Sequence, residues 1–391
     1  MRSLHKNCSF SYALMQAATW SFYAIVLAFS SNVLYELQFS DSAISLFLGI
    51  CTALSVAVQV GSAELLNKVW KLGVHVVMVV FGLLMLLCAA VLLLPGGNRT
   101  VIVLCFGTVC MLLQTLPSLT NSIGMDTIRR GASTNYSFAR GMGSLGYSTT
   151  ALLTGVLVRQ SGVRSVHLLT IAASLLLIFA ALWYHNATKE LLPADPEQIR
   201  ERRIPFFKTY PRFGIFLIGM AFLCISHGLL CNFMFQIMLS RNGGAMEQGI
   251  ATSLSSLVEL PIMFGFTWML KKKRCDKWVK IAGFAMALKP LLILLSGSPY
   301  GIYLAQATQS IGYGLWVIAS VNYAERVVSA GESIRAQSYH GATTTASTVV
   351  AVSLGGILIE YLGVQFMVGG SLACTLIGSV IVLFSTEKTD I

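Results

Sequence analysis

The sequence predicts an all-α polytopic membrane protein in which twelve transmembrane helices form two related six-helix halves. Of its 391 residues, 55% are hydrophobic and only 11% are charged, whereas soluble domains carry about 25% charged residues. The apolar residues fall into blocks of about 20, the length of a helix that crosses a bilayer. Part of the first half also recurs in the second. Helices are expected because a segment in lipid must satisfy its own backbone hydrogen bonds.

Short polar segments separate the apolar blocks and set the limits of the spans. The predicted spans are 10–35, 41–65, 73–94, 100–124, 139–159, 164–185, 213–239, 249–270, 278–296, 299–324, 336–359 and 364–385.

Lysine and arginine predict the orientation. With both termini in the cytoplasm, the inner side holds 22 of the 27 Lys and Arg residues, the outer loops hold 4, and one span holds Lys289. Cytoplasmic loops of membrane proteins carry such an excess. We therefore expect a multi-pass protein of the cell (inner) membrane with both termini cytoplasmic. The same distribution accounts for the net charge of +11, so no nucleic acid is expected as a partner; the expected partners are the bilayer and a small-molecule solute, and the expected state is a monomer.

A polar central loop at 186–212, which contains four prolines, predicts the division of the chain. It separates an N-terminal six-helix bundle, 1–185, from a C-terminal six-helix bundle, 213–391. The segment 154–163 is similar to 355–364 at an offset of 201 residues. Internal repeats of this kind are typical of transporters.

The motifs argue against an enzyme. Seven of the nine cysteines lie inside apolar segments, where cysteine behaves as a small hydrophobe, so free thiols and no metal are expected. The run Gly141–Gly146 matches G-x-G-x-x-G but follows no strand, so it does not indicate a dinucleotide site. No cofactor is expected, and a proton gradient is the expected energy source.

Three stretches resemble the major facilitator superfamily, most closely the branch of lactose permease and other oligosaccharide–proton symporters. They are Tyr136–Tyr147, which enters span five, Glu259–Phe264 in span eight, and Ala282–Lys289 in span nine. The resemblance implies alternating access about a midplane site and uptake of an oligosaccharide or nucleoside with a proton. The sequence departs from that branch in span ten, where Gln309 and Gly312 stand at the positions of a titratable His and Glu.

Glu259 and Lys289 are the principal candidates for proton coupling. A charge inside lipid costs about 2.5–3.5 kcal/mol even on the most lenient scale, and both residues lie near the middle of adjacent spans. At ~1.5 Å per residue both lie roughly 16 Å from the cytoplasmic edge. One interpretation is a switchable pair in which Glu259 takes up a proton and releases Lys289. The other is a static buried pair that fixes helix packing.

Arg140, Asp126 and His227 are further ionisable candidates. By resemblance Arg140 binds sugar hydroxyls, for which its fork of donors is suited; alternatively it pairs with Asp126 as a cytoplasmic gate or topology charge. His227, in the middle of span seven, has the chemistry for proton exchange, although a lone histidine in a span is more often a packing residue that forms a hydrogen bond.

Amide and aromatic side chains in the spans complete the predicted site. Gln114, Gln309, Asn322 and Tyr323 are candidates for a polar substrate pocket, although each also suits an interhelical hydrogen bond. Trp20 and Tyr147 are candidates for stacking on a sugar face, or for ordinary packing.

Three alternatives to a proton-coupled importer stay open at this point. An exporter of drugs or amphipathic metabolites would use the same fold. A membrane enzyme would need a catalytic constellation, and the six histidines lie near no suitable carboxylate pattern. A sensor would keep the fold without flux and would normally carry an added soluble domain.

Overall fold

The structure, a computed structural model, describes 2–64, 73–94, 98–129, 136–189, 206–329 and 332–389. Within these ranges the side chains of 2–7, 60–64, 125–129, 136–137, 267 and 333–334 lie outside the described set. The helices before the central loop are α1 Arg2–Val26, α2 Ser30–Glu36, α3 Asp41–Glu64, α4 Val74–Leu92, α5 Arg99–Arg129, α6 Tyr136–Ser161 and α7 Arg164–Thr188. Those after it are α8 Phe206–Thr209, α9 Pro211–Asn232, α10 Met234–Leu239, α11 Ala245–Leu257, α12 Leu260–Lys272, α13 Cys275–Ala285, α14 Leu288–Leu295, α15 Pro299–Ala307, a π-helix Ser310–Gly314, α16 Leu315–Arg326, α17 Ser333–Leu362 and α18 Val364–Ser385.

Every predicted span coincides with helical structure, which confirms the all-α prediction. Ten helical segments of the described chain are long and apolar enough to cross a membrane. The predicted spans at α6 and at α15 to α16 are not among these ten. Helix α6 is rich in Gly, Ser and Thr, and the π-helix separates α15 from α16. Several other spans are also split, so that the described residues form eighteen α-helices, including the short α8.

The chain divides into two compact units. The first comprises Met1–Phe39 and Phe47–Gln198, and the second comprises Ser40–Leu46 and Ile199–Ile391. The division between Gln198 and Ile199 falls inside the predicted central loop, while the start of α3 is assigned to the second unit. The predicted boundaries differ slightly from the helix ends, because α7 continues to Thr188 and α9 begins at Pro211.

In the first unit, α1 packs against α5, α6 and α7, and α4 packs against α7 and α5. Small residues on α6 allow its close approach to α1. A Cβ atom on Gly146 would lie 2.9 Å from the carbonyl oxygen of Ala17, and one on Gly143 would lie 2.6 Å from the Trp20 ring. The glycines that make α6 weakly hydrophobic thus bring Trp20 beside α6.

In the second unit, α9 packs against α17 and α18 and joins two apolar clusters. One cluster contains Phe213 and Phe216 of α9 with Trp316. The other contains Leu229 of α9, Phe233 and their neighbours. Between these clusters α9 carries polar residues, which places a polar layer in the middle of the unit.

Many large apolar side chains face outward. Leu87, Leu104, Ile218, Leu295 and Phe384 are among the most exposed. A water-soluble protein rarely exposes so much apolar surface, so this surface is suited to lipid and supports the multi-pass membrane fold.

The crossing of α9 and α18 gives a direct test of the packing. A Cβ atom on Gly378 would lie 2.7 Å from the carbonyl oxygen of Gly219. We expect Gly378→Ala to destabilise the protein by about 1–3 kcal/mol, the usual cost of overpacking. Gly370→Ala, on the same helix with nothing within 4 Å of the added atom, is expected to be neutral or slightly stabilising. Thermal denaturation in detergent measures both, and equal midpoints for the two variants would contradict the close crossing.

Candidate functional site

Broken helices in the second unit position its buried charges. Helix α11 ends at Leu257 and α12 begins at Leu260, so Glu259 lies at the break. Proline at 261 explains the break, because it lacks the N–H that would bond to the carbonyl one turn earlier. In the next span α13 ends at Ala285, and Lys289 lies in the first turn of α14 directly before Pro290. Each of the two charges therefore lies close to a proline that interrupts the hydrogen bonds of its helix.

The third break is the π-helix Ser310–Gly314, preceded by Gln309. Its wider turn is seen in the bond from the Gly314 N–H to the Gln309 carbonyl oxygen, 2.8 Å. Single π-turns inside α-helices are frequent at functional sites. The glycine at 314 matters here, because a Cβ atom would lie 2.9 Å from Cγ of Glu259.

Gln309 bridges the two predicted charges. Lys289 Nζ donates to Gln309 Oε1 at 2.9 Å, and Gln309 Nε2 donates to Glu259 Oε1 at 3.0 Å. The three side chains are almost fully buried, with 5%, 4% and 9% of the surface of Lys289, Gln309 and Glu259 exposed. We call this set the charge bridge. Glu259 and Lys289 are thus brought together, but through an amide that the sequence analysis had placed among the substrate-binding candidates.

A small pocket lies beside the charge bridge. Its lining comprises Ser226, His227, Leu230, Ala285, Met286, Lys289, Thr308, Gln309, Gly312 and Tyr313. Hence Lys289 and Gln309 face both the bridge and the pocket. The pocket combines apolar walls with a few convergent polar groups, as small-molecule sites usually do.

His227 forms the aromatic side of this pocket. Its ring stacks on Tyr313 with centroids 3.3 Å apart and planes at 5°, and the Cys231 sulfur lies 3.5 Å from Nε2. The hydroxyl of Ser226, the preceding residue, forms hydrogen bonds with the hydroxyls of Ser371 at 2.7 Å and Thr375 at 2.6 Å. His227 therefore lies at the pocket, while Ser226 ties α9 to α18.

In the first unit, Arg140 lies over the Trp20 ring. Its Cζ is 4.2 Å from the ring centroid, and its Nη1 donates to Ser144 Oγ at 3.1 Å. Trp20 Nε1 donates to Gln16 Oε1 at 3.0 Å, which fixes the indole. The Tyr147 ring lies 6.4 Å from Trp20. We call these five residues the Arg140 cluster; three of them, Arg140, Trp20 and Tyr147, were predicted as solute-binding residues.

Gln16 holds this cluster in place and was missed by the sequence analysis. It is fully buried, and its Nε2 donates to the Tyr12 hydroxyl at 2.8 Å and to Asn121 Oδ1 at 3.1 Å. Its spacing of four residues before Trp20, which places both on one face of α1, was the available signal.

The other predicted site residues lie elsewhere. Asn322 donates to the Ile318 carbonyl of its own helix at 2.9 Å. Tyr323 is fully buried in the cluster around Phe216, where its hydroxyl accepts from the Glu387 N–H at 2.9 Å. Gln114 is half-buried on α5, and the side chain of Asp126 lies outside the described residues. The structure thus brings neither Asn322 nor Tyr323 into the lining of the pocket.

Among the residues that the structure describes, no group of three His, Cys, Asp or Glu side chains is placed to hold a metal ion. The pocket and the Arg140 cluster present two cations, Lys289 and Arg140, together with amides, hydroxyls, the His227 imidazole and aromatic rings. Such groups bind a polar organic solute by hydrogen bonds, charge and stacking.

Broken helices, buried charges beside a pocket, and a lipid-facing apolar surface together define a membrane transporter of the major facilitator type. The MFS_1 like family matches residues 19–368, and the chain belongs to that family.

Solved structures show the same fold. A mutant form of the nucleoside transporter NupG matches with a TM-score of 0.70 at 14% identity over 98% of each chain. A bacterial homologue of the iron transporter ferroportin matches with a TM-score of 0.75 at 13% identity over 99% of each chain. A POT family transporter in complex with 5-aminolevulinic acid matches with a TM-score of 0.71 at 13% identity, over 98% of this chain and 95% of that one. No curated protein matches the sequence. The oligosaccharide–proton symporter branch stays a prediction.

Proposed function

We propose that this protein is a secondary active transporter that takes up a small polar solute of the sugar or nucleoside type together with a proton. The observation that carries the proposal is the charge bridge, in which two buried, opposite charges are joined by one amide beside a pocket. The proposed location is the cell (inner) membrane with both termini cytoplasmic. The proton gradient supplies the energy, with no cofactor.

Glu259 is the proposed proton carrier. Its carboxylate accepts from the Gln309 amide, which in turn accepts from Lys289, so one amide links the carboxylate to the buried cation. Uptake of a proton removes one of the two buried charges. It also turns Glu259 from an acceptor into a donor, so Gln309 must then offer it an acceptor. Buried charges are costly unless paired and hydrogen-bonded, so a change at Glu259 alters the energy of the whole bridge.

The Arg140 cluster is the proposed recognition site of the first unit. Guanidinium presents a planar fork of donors, and an indole face packs on the apolar face of a sugar or on a base. A nucleoside is a reasonable solute on this chemistry, and one protein of similar fold is a nucleoside transporter.

Uptake by purified protein in proteoliposomes tests the proposed function. With a more acidic exterior, we expect the protein to accumulate a radiolabelled sugar or nucleoside, and a protonophore to abolish accumulation. Glu259→Gln is expected to lose pH-driven accumulation while retaining exchange of labelled for unlabelled solute.

Glu325→Gln is the matched control, because Glu325 is an exposed carboxylate of the same unit. An uptake rate that Glu259→Gln leaves unaltered across pH would rule out Glu259 as the proton carrier. Proton-driven efflux of amphipathic compounds, with no uptake of sugars or nucleosides, would instead favour the exporter.

Loss of the indole gives a test of the Arg140 cluster. We expect Trp20→Leu to raise KM by about 2–30-fold, corresponding to a cation–π contribution of about 0.5–2 kcal/mol, with a smaller effect on the maximal rate. Trp268→Leu is the control, since it removes a cation–π contact with Lys272 at an indole that is 60% exposed. A KM unchanged by Trp20→Leu would assign the indole to packing alone.

A further inference from the structure

Lys289 is a buried cation whose hydrogen-bond acceptor is neutral. Its Nζ donates to the amide oxygen of Gln309, and it forms no ion pair with any carboxylate that the structure describes. An ammonium has three donors, and Lys289 also lines the pocket. A charged group is thus presented to the pocket without an anion attached to it.

The charge bridge as a whole is balanced. Glu259 contributes one negative charge and Lys289 one positive charge, and both lie in the buried polar layer. The other titratable groups that face the pair, among the described residues, are His227, Cys231 and Tyr313. Any change that leaves this interior with a net charge is costly, because a buried charge needs a partner.

We propose that the transported solute carries one carboxylate, which binds Lys289 when Glu259 holds a proton. This inference rests on the proposed function and names the class of solute within it, a monocarboxylic acid. One anion and one proton enter together, so the interior stays neutral. A neutral solute entering with a proton would instead leave one uncompensated positive charge.

Gln309 has the chemistry to couple the two events. In the empty site its oxygen accepts from Lys289 and its nitrogen donates to Glu259. A protonated Glu259 becomes a donor and needs an acceptor. Rotation of the amide by half a turn supplies the oxygen to Glu259 and directs the nitrogen toward the pocket. There it donates to the solute carboxylate, which Lys289 also binds, so the rotated amide reverses the direction of the hydrogen bond between Gln309 and Glu259.

The lining of the pocket restricts the acid. Its apolar and aromatic wall, which includes Leu230, Met286 and Tyr313, faces the body of the solute. A monocarboxylate with an apolar or ring-shaped body fits this lining better than a long oligosaccharide, whose surface is polar on all sides.

Matched pairs of acid and neutral solutes test the inference on the purified full-length protein. The acids are D-glucuronate, D-galacturonate, orotate and L-lactate, and their neutral partners are D-glucose, D-galactose, uracil and glycerol. The measurement is the shift of the thermal denaturation midpoint in detergent at acidic and alkaline pH, with affinities taken from its concentration dependence. We expect at least one acid to stabilise the wild type, more strongly at acidic pH, and its neutral partner not to.

Two variants separate the roles of the charges. Lys289→Gln is expected to bind the stabilising acid at least about 30-fold more weakly, the loss typical of removing one partner of a buried charge-assisted bond. Glu259→Gln imitates the protonated carboxyl and is expected to bind the acid with little dependence on pH. Lys277→Gln, at an exposed lysine of α13, is the control and should behave as the wild type.

The inference is overturned if no acid stabilises the wild type, if the neutral partners stabilise it equally, or if Lys289→Gln binds the acid unchanged. Uptake measurements then distinguish a failure of this inference from a failure of the proposed function. Proton-driven uptake of a neutral solute that responds to membrane potential would uphold the proposed function and overturn this inference. Acid binding that depends on Lys289, with no pH-driven uptake, would uphold the binding of the carboxylate to Lys289 and overturn both the proposed proton-coupled uptake and the joint entry of acid and proton.

Discussion

Lys289→Met is expected to lower the free energy of unfolding by about 3–5 kcal/mol at neutral pH, the cost of leaving one member of a buried pair without the other. Glu259 is only 9% exposed and accepts from the Gln309 amide, and the variant removes the cation at the other end of that amide. The bridge would then hold a buried negative charge that Lys289 no longer balances. At acidic pH the loss should shrink, because a protonated Glu259 no longer carries a charge.

Neutralising both members is expected to recover most of this loss. In Glu259→Gln combined with Lys289→Met, no charge of the bridge is left unbalanced, and replacing a buried pair by neutral groups is often close to neutral in stability. Unfolding by SDS in mixed micelles at neutral pH, applied to the wild type, both single variants and the double variant, gives the coupling energy. Glu325→Gln and Lys277→Met are the controls at exposed positions of the same unit.

Additive effects of the two single variants would contradict the charge bridge. They would mean that Glu259 and Lys289 do not sense each other's charge, although one amide is bonded to both. The double variant also separates a structural role of the two charges from a role in proton coupling. If the double variant is stable but inactive in pH-driven uptake, the charges are needed for function and not only for packing.

Much of the second-unit site was predictable from where charged residues fall in apolar segments. A charge in the middle of a span is expensive, so Glu259 and Lys289 stood out, and counting residues placed them at a common depth. The prolines at 261 and 290 were also visible in the sequence. Their effect on the helices, which places each charge at a break, was not used in the prediction and became clear only in the structure.

The bridging role of Gln309 was not predictable from the sequence. A regular helix advances 100° per residue, so a face can be assigned from spacing alone. The π-helix that follows Gln309 changes that register, and no pattern in the sequence predicted the π-helix. As a result, Gln309 was assigned to solute binding, while the structure places it between two charges and at the pocket wall.

Polarity alone also misplaced neighbours on one helix. Asn322 and Tyr323 were grouped with the pocket because both are polar residues in a span. Tyr323 has a large apolar body and one hydroxyl, and a backbone N–H from the C-terminal segment donates to that hydroxyl. Its oxygen therefore has a hydrogen-bond partner inside an apolar cluster, which a hydropathy profile does not reveal.

Gly314→Ala is expected to reduce pH-driven uptake by about 10–100-fold, because a misplacement of about 1 Å in a working site has effects of that size. The added Cβ atom would lie 2.9 Å from Cγ of Glu259 and 3.2 Å from the Gln309 carbonyl oxygen. Glu259 is buried and has little room to withdraw, so its carboxylate must shift relative to the Gln309 amide. Uptake in proteoliposomes and denaturation in detergent are measured together, with a stability loss of about 1–3 kcal/mol expected from overpacking.

Gly265→Ala provides the control, since Gly265 lies on α12, the helix that Glu259 precedes, with nothing within 4 Å of an added Cβ atom. It tests whether a methyl group on this part of the unit is harmful in general. Solute exchange without a pH gradient should survive in Gly314→Ala, because the added methyl group contacts Glu259, the proposed proton carrier, and not the aromatic side of the pocket. If Gly314→Ala instead keeps pH-driven uptake at the level of Gly265→Ala, the alignment of Glu259 with Gln309 is not required for coupling. The charge bridge would then be a packing device, the static alternative that the sequence had left open.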